Sequence, residues 1–218
     1  MKKSLLLAAM LIIGSLAFAG GPEYEKAMGQ ALQDFTKCQT APEFRNVANQ
    51  FDRIGNVAKD EWLPLYYRAY CFVVMSFVDQ TDGDTKDAYL DEAEKSIDRM
   101  LEMASEESEV HALQAFYYNG RLMVNPQVRG MKYGMLSGQA VGKSLKLDPS
   151  NPRAQYGQIQ NEMGKAQFFG QDVDGFCAQA KIAHDSFDAY PLATEFHPKW
   201  GKRELKKLST ACKTEEHE

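Results

Sequence analysis

Hydrophobic residues recur at steps of three, four and seven along most of the chain, which is the spacing of one face of an α-helix. Leu90, Ile97 and Leu101 share one such face in mid-chain, and Leu205 and Leu208 share another near the end. No convincing strand pattern interrupts them. The pattern predicts an all-α fold of about nine helices, at approximately 23–38, 42–58, 61–79, 85–104, 108–123, 131–147, 152–168, 174–188 and 199–213.

The third predicted helix is apolar on nearly all sides rather than on one face. It runs from Trp62 to Val78, and such a pattern is typical of a helix enclosed by others. We therefore expect this helix at the centre of the fold. Turns between helices are marked by Asp82-Gly83-Asp84, Asn125-Pro126 and Asp174-Gly175.

The junction between the sixth and seventh predicted helices reads Leu147-Asp148-Pro149-Ser150-Asn151-Pro152-Arg153-Ala154. Pro149 stops the first helix, because proline disfavours helical backbone in the residue before it and cannot donate to the helix ladder. Asn151 is a good N-cap, and Pro152 fits the first position of the next helix. A degenerate copy of this junction lies 44 residues upstream, which indicates repeated helical hairpins. This spacing is longer than the roughly 34 residues of tetratricopeptide units.

Four motifs occur in the same order in one group of proteins: Trp62-Leu63-Pro64-Leu65-Tyr66-Tyr67, Arg129-Gly130-Met131-Lys132-Tyr133-Gly134, the junction Leu147 to Ala154, and Pro198-Lys199-Trp200-Gly201-Lys202. As a set they resemble the uncharacterised exported tetratricopeptide-repeat (TPR-like) proteins of Bacteroidetes-type bacteria. The resemblance implies a right-handed α-hairpin solenoid, export and no known chemistry. It supplies no functional residues.

Residues 1–19 have the layout of a secretory signal peptide. Lys2 and Lys3 precede an apolar run that ends in Ala17-Phe18-Ala19, a small-x-small cleavage site. The run is too short for a membrane span, and no cysteine follows it to carry a lipid anchor. We therefore predict an exported protein, periplasmic or secreted, without membrane insertion after cleavage. Residues 20–213 would form one TPR-like domain, and 214–218 a disordered tail.

Charge argues against a nucleic-acid partner. The formal net charge is −5, and it becomes −7 when Lys2 and Lys3 are removed. A mildly acidic, exported chain is a poor candidate for binding nucleic acid. One basic cluster on the last predicted helix, which a solvated helix face explains, comprises Lys199, Lys202, Arg203, Lys206 and Lys207.

No residue set has the spacing of a catalytic or metal site. The serines lack a nucleophile elbow, and the histidines have no distinctive neighbours. Cys177 and His184 lie seven residues apart and could offer two ligands, but no CxxC, HxxH or HExxH spacing supports a zinc site. We therefore predict no catalytic residues, no cofactor, no metal and no enzymatic activity.

An oxidising compartment would allow disulfide bonds among the four cysteines. Cys177 and Cys212 would lie at neighbouring ends of the last two helices if these pack antiparallel, so we predict that they are bonded. Cys71 is expected to be a buried free thiol. Cys38 could pair with it only if the first and third helices pack in a suitable register.

The first helices of the hairpins carry many aromatic residues, which form either core or a binding groove. Arg68, Gln114 and Gln158 occupy equivalent repeat positions and mark either a polar stripe in that groove or a solvated helix edge. The predicted groove residues are Tyr66, Arg68, Tyr70, Gln114, Tyr118, Tyr156 and Gln158.

Four glycines, spaced four apart, lie along the sixth predicted helix: Gly130, Gly134, Gly138 and Gly142. Each interior glycine costs about 1 kcal/mol relative to alanine, which indicates that close approach of a neighbour is needed there. We favour tight packing against another helix of the chain. A self-association face is the alternative.

The function that follows is a non-catalytic scaffold that binds a peptide or protein partner in a helical groove. The first alternative is a self-assembling structural protein that uses the glycine stripe. A third interpretation is an unrecognised enzyme or a carrier of a small ligand.

Overall fold

The computed structural model describes residues 20–211, and within this range the protein is all-α. Its nine helices are α1 (Pro22–Phe35), α2 (Ala41–Val57), α3 (Leu63–Val78), α4 (Gly83–Met103), α5 (Ser108–Val124), α6 (Pro126–Leu147), α7 (Pro152–Phe168), α8 (Asp174–Ser186) and α9 (Lys202–Ala211). No strand occurs in the described range. The predicted all-α fold of nine helices is confirmed. The predicted signal peptide and the tail 214–218 lie outside the described residues.

Successive helices pack side by side, α2 on α3, α3 on α4, and α5 on α6. In addition, α3 contacts α5, and α5 contacts α7. The first helices of successive hairpins therefore form one continuous layer, as the repeated junctions predict. We call the surface of this layer that carries Tyr70, Phe116 and Tyr156 the inner face.

Helix α3 is the centre of the fold, as its apolar sequence predicts. Eleven of its sixteen residues are buried, and they include Tyr66, Tyr67 and Phe72. Phe51 of α2 stacks on Tyr67 with ring centroids 5.1 Å apart. A helix buried on several sides needs no polar face, which explains the apolar run.

Helix α6 begins at Pro126 rather than at the predicted residue 131. The side chain of Asn125 accepts a hydrogen bond from the backbone N–H of Val128, and Pro126 occupies the first helical turn. Asn125-Pro126 therefore acts as an N-cap followed by a proline, not as a separate turn.

Within residues 20–211, three of the four glycines of the stripe contact no other helix. A Cβ atom added to Gly130, Gly138 or Gly142 would meet no atom within 4 Å, and one added to Gly134 would meet only Leu122, at 3.8 Å. Because even the contact with Leu122 of α5 is an ordinary van der Waals distance, the tight packing that we favoured is wrong for the described part of the chain.

The helix junction at Asn151 lies over a buried polar network. The Asn151 side chain accepts from the backbone N–H groups of Arg153 and Ala154, which confirms the predicted N-cap. It also donates to Oε1 of Glu109 at 3.0 Å, and Arg153 Nε donates to the other carboxylate oxygen at 2.6 Å. This network joins α5 to the start of α7.

After α8 the chain returns across the molecule before α9 begins. A short 3-10 turn at Phe187–Ala189 leads into residues 190–201, which we call the strap. Phe196 of the strap is buried, packs edge-on against Tyr24 of α1, and its carbonyl accepts from the Tyr67 hydroxyl at 2.8 Å. The strap therefore joins the C-terminal end of the fold to its N-terminal half, and α9 then packs on α8.

The cysteines divide into one bonded and two free residues within the described range. Cys177 is disulfide-bonded, while Cys38 and Cys71 are free thiols. The predicted partner, Cys212, lies outside the described residues, so the Cys177–Cys212 bond stays a prediction. Among the helices of residues 20–211, none has the length and hydrophobicity required to cross a membrane.

Candidate functional site

Trp200, at the end of the strap, lies against the inner face. Its ring centroid is 5.2 Å from those of Tyr70 on α3 and Phe116 on α5, and 6.2 Å from that of Tyr156 on α7. The indole N–H donates to the Tyr66 hydroxyl at 2.8 Å. Phe77 extends the row by stacking on Phe116 at 5.3 Å. One indole ring thus joins three helices into an aromatic cluster.

A pocket of about 500 Å³ opens beside this cluster. Tyr70 and Trp200 contribute to its wall, and residues of α8 and the start of α9 form the other sides. Its volume lies within the roughly 300–1,000 Å³ of typical small-molecule pockets, but it is a depression open to solvent along much of its boundary rather than an enclosed cavity. The lining residues are Tyr70, His184, Lys199, Trp200, Gly201, Lys202, Arg203, Glu204 and Lys206.

The sharp turn that forms the pocket requires glycine. Gly201 has φ +109°, a backbone conformation that side-chain-bearing residues rarely adopt. Its position would also place a Cβ atom 3.4 Å from the ring of Phe187. Gly201 therefore ends the strap and starts α9 beside Trp200, which brings the basic residues of α9 to the pocket.

The pocket is rich in positive charge. Lys202 pairs with Asp188, and Arg203 pairs with Glu204 at 3.1 Å. Within residues 20–211, Lys199 and Lys206 have no carboxylate at ion-pair distance, so their ammonium groups are available to an anionic ligand. A ligand with carboxylate groups and an extended aromatic surface would match both properties of the pocket.

The tyrosines of the cluster keep their protons at neutral pH. Burial, with a smaller contribution from the carboxylate of Glu204, raises the pKa of Tyr156 to about 12. The same causes raise the pKa of Tyr70 well above its ordinary range. These side chains therefore present neutral phenol rings.

His184 lines the pocket from the last turn of α8. Its side chain is 26 % exposed, and its Nδ1 lies 3.0 Å from Oδ1 of Asp185. Within residues 20–211, no group of three or more histidine, cysteine or acidic residues is arranged to hold a metal ion. His184 is consequently a single potential ligand rather than part of a metal cage.

The structure brings together three of the seven predicted groove residues. Tyr66, Tyr70 and Tyr156 all contact Trp200, the first by a hydrogen bond and the other two by ring contacts. Tyr66 is fully buried, and Tyr156 is 7 % exposed. Much of their surface is thus covered by the chain's own strap.

The other four predicted groove residues do not join this cluster. Arg68 points between α2 and α4, where it pairs with Asp52 at 3.0 Å and Glu92 at 2.6 Å. Gln114 lies 3.5 Å from the hydroxyl of Tyr118, and Gln158 donates to Glu162 on an exposed surface. Equivalent repeat positions therefore do not form a polar stripe along the inner face.

The strap residues and His184 are absent from the predicted site. Trp200 and Gly201 belong to a motif that supported the family resemblance, but nothing in local sequence shows that they cross back to α3. The basic cluster on α9 is visible in the sequence, where a solvated face explains it. Its position beside an aromatic wall depends on contacts separated by about 130 residues, such as Tyr66 with Trp200, 134 positions apart.

No protein-family model and no curated protein matches the chain. Among solved structures, it is similar to the HusA haemophore from Porphyromonas gingivalis, with a TM-score of 0.76 and 27 % sequence identity. The likeness covers 89 % of this chain and 95 % of that one. Since that organism belongs to the Bacteroidetes, the finding supports the bacterial group of the predicted resemblance. It does not show the tetratricopeptide family itself.

Proposed function

We propose that the protein is a non-enzymatic, exported carrier of haem or a closely related porphyrin. The observation that supports this most strongly is the similarity to a haemophore over nearly the whole length of both chains. It favours the third of the functions considered above, a carrier of a small ligand, over a scaffold for a protein partner.

The pocket beside Trp200 is the proposed binding site. Haem is a flat aromatic macrocycle that carries two carboxylate groups, and it needs both an apolar wall and positive charge. Tyr70 and Trp200 supply rings, while Lys199 and Lys206 supply ammonium groups without protein partners in the described range. The available volume of about 500 Å³ falls within the usual size of cofactor pockets.

The strap weakens the case for a peptide in the groove. Trp200 already fills the place on the inner face where an aromatic anchor of a partner would pack, against Tyr70, Phe116 and Tyr156. A peptide partner would have to displace these contacts or bind elsewhere. A small ligand needs only the space that remains beside them.

Titration with haem tests the proposal directly. In W62F, Trp200 is the remaining tryptophan, and we expect haem to quench its fluorescence with one-to-one stoichiometry as the visible absorption band shifts.

Charge reversal in K199E/K206E should weaken binding at least about tenfold, because each lost charge-assisted contact is worth roughly 1.5–3 kcal/mol.

A variant on another exposed apolar surface provides the matched control. Met131 and Met135 of α6 are 91 % and 60 % exposed and do not line the pocket. M131S/M135S should bind haem as the unmodified protein does. Absence of haem binding would refute the function, whereas a loss confined to M131S/M135S would refute the pocket as its site.

A further inference from the structure

We propose that the solvent face of α6 binds α6 of a second copy of this chain, with the two helices antiparallel and related by a two-fold axis. The partner that covers this face is therefore the protein itself. This pairing is independent of the carrier function, because none of the residues that line the pocket beside Trp200 belongs to α6.

The solvent side of α6 is apolar where a helix surface is normally polar. Val128, Met131 and Met135 are 78 %, 91 % and 60 % exposed, and they follow one another at steps of three and four residues. Side chains so spaced lie next to each other on a helix, so the three form one apolar patch. The patch measures roughly 300–400 Å², a size that on monomeric proteins is often functional.

The same row continues as glycine along the second half of the helix. Gly138 and Gly142 follow Met135 at steps of three and four residues. A Cβ atom on either glycine would meet no atom of another helix within 4 Å among residues 20–211. Alternating steps of three and four form the seam of paired helices, where a side chain of one helix fits a hole in the other. One half of this seam carries large side chains, and the other half offers holes.

An antiparallel second copy matches the large side chains to the holes. When the two-fold axis passes between residues 136 and 137, Met135 faces Gly138 of the second copy and Met131 faces Gly142 of the second copy. Each contact then occurs twice, as it must in an interface with two-fold symmetry. A parallel pair in register would instead place methionine on methionine and leave voids between the glycines.

The lysines of α6 do not oppose this pairing. Lys132 and Lys146 flank the exposed row, and α6 contains no acidic residue. In the antiparallel pair, Lys132 and Lys146 of the second copy are offset by five positions, or about 8 Å along the helix. That offset is close to the screening length of about 8 Å at physiological salt. A parallel pair would place each Lys132 opposite another Lys132.

The size of the face indicates a weak dimer. Two copies of the patch, together with the glycine backbone between them, bury on the order of 1,000 Å², the low end for a specific interface. We therefore expect a dissociation constant on the order of 10–100 μM, so that the protein is mainly monomeric at low micromolar concentration. A bilayer or an unrelated apolar partner gains nothing from two glycines in the row, whereas a second copy uses both.

Charge complementation tests the face, the partner and the orientation together. Sedimentation equilibrium of the chain from Gly20 onwards should show a monomer–dimer equilibrium around that dissociation constant. M135E and G138K should each weaken dimerisation at least about tenfold, because each places an unpaired charge in the seam. An equimolar mixture of the two variants should regain dimers, since the new carboxylate of one variant then faces the new ammonium group of the other.

A matched control places the same charge on another exposed apolar residue. Ile182 of α8 is 70 % exposed, and I182E should dimerise as wild type does. Loss of dimers in I182E would show a general effect of added charge and would refute the role of α6. Met135 and Gly138 are exposed in the monomer, so the seam variants should retain the far-UV circular dichroism of wild type.

The remaining outcomes separate the parts of the proposal. A wild-type protein that stays monomeric at every concentration would refute self-pairing and leave the face to another protein or a membrane. Dimers that persist in both M135E and G138K would refute the use of α6. If both variants are monomeric and their mixture is too, the antiparallel pairing is refuted. None of these results affects the haem titration, so the carrier function is tested separately.

Discussion

Arg153 and Glu109 form an ion pair deep in the protein, with both side chains 1 % exposed. Burial raises the pKa of Glu109 above its ordinary value, and Arg153 opposes that effect. Asn151 supplies a further hydrogen bond to the carboxylate, so the charges are enclosed but satisfied. Such a pair contributes little net stability compared with apolar residues, yet it is costly to break. Its position beneath the α6–α7 junction makes it a determinant of how α7 sits on α5.

Removal of one partner should be far more damaging than replacement of both. We expect R153A or E109A to lower the free energy of unfolding by about 3–5 kcal/mol, because an uncompensated charge remains buried. The double variant E109L/R153M should lose much less. E106Q, which alters the exposed pair with Lys143, should change stability by less than about 0.5 kcal/mol in the same urea titrations. Equal costs for the single and double variants would contradict this account.

His197 in the strap should make stability fall in mild acid. Its ring packs against Trp62 at 5.6 Å, and burial lowers its pKa below the ordinary value of 6.5, although Glu107 opposes the shift. The unfolded chain therefore binds a proton first as pH falls below about 6.5, which favours unfolding until the folded pKa is reached.

The variant H197N separates this contribution from that of the carboxylates. The histidine Nδ1 accepts from the Thr194 N–H at 3.1 Å, and an asparagine oxygen can accept in its place without titrating. The loss of unfolding free energy between pH 7.5 and pH 5 should be smaller in H197N than in wild type. An identical loss in both proteins would show that His197 does not titrate as proposed.

At the scale of elements, α5 and α6 use glycine for different reasons. A Cβ atom on Gly120 of α5 would lie 2.8 Å from Leu90 Cδ2, and Leu90 is fully buried and cannot move away easily. Gly138 of α6 faces open space. The first glycine is thus needed for packing of α5 against α4, while the second costs helix stability without an internal contact to offset it.

Alanine substitutions should reveal this difference. G138A should raise the free energy of unfolding by about 0.5–1 kcal/mol, which is the helix-propensity gain of alanine over glycine. G120A has the same gain, but overpacking typically costs about 1–3 kcal/mol, so this variant should be less stable than G138A and no better than wild type. Thermal and urea unfolding of the two purified variants and of wild type will give the free energies to compare. A destabilising G138A would indicate that the stripe has a contact outside the chain.

The same elements show what sequence could and could not predict. Period-3.6 patterning locates the helices, because burial on one face is a local property of the sequence. Helix α6 begins five residues before its predicted start. The sequence contains the N-cap signal, Asn125 followed by Pro126, but it was interpreted as a turn. The predicted groove combined Tyr70 with Arg68, but two residues turn a helix through about 200°, which places Arg68 on another side of α3.

At the scale of the whole molecule, the strap changes the energetics of a repeat protein. Repeats normally contact only their neighbours, so stability is a sum of local terms. Here Phe196 is buried among residues of the N-terminal half, and Trp200 packs against both that core and the one around Tyr156 and Leu205. These contacts join residues far apart in the chain, and hydrophobic periodicity reports only local patterns. The contacts, and the pocket that depends on them, could therefore not be predicted from the sequence.

The strap should therefore make the molecule unfold as one unit. We expect wild type to show coincident urea transitions by far-UV circular dichroism and by the fluorescence of Trp200 in a W62F background. F196A should lower the free energy of unfolding by about 3–5 kcal/mol, the usual range for removing a buried phenylalanine ring. It should also free the strap, so that the Trp200 signal changes at lower urea than the helical signal. L192A alters a strap residue that is 39 % exposed and should leave both transitions nearly unchanged. If F196A costs little and its two transitions still coincide, the strap is not what unites the two halves, and the α3–α5–α7 layer alone must do so.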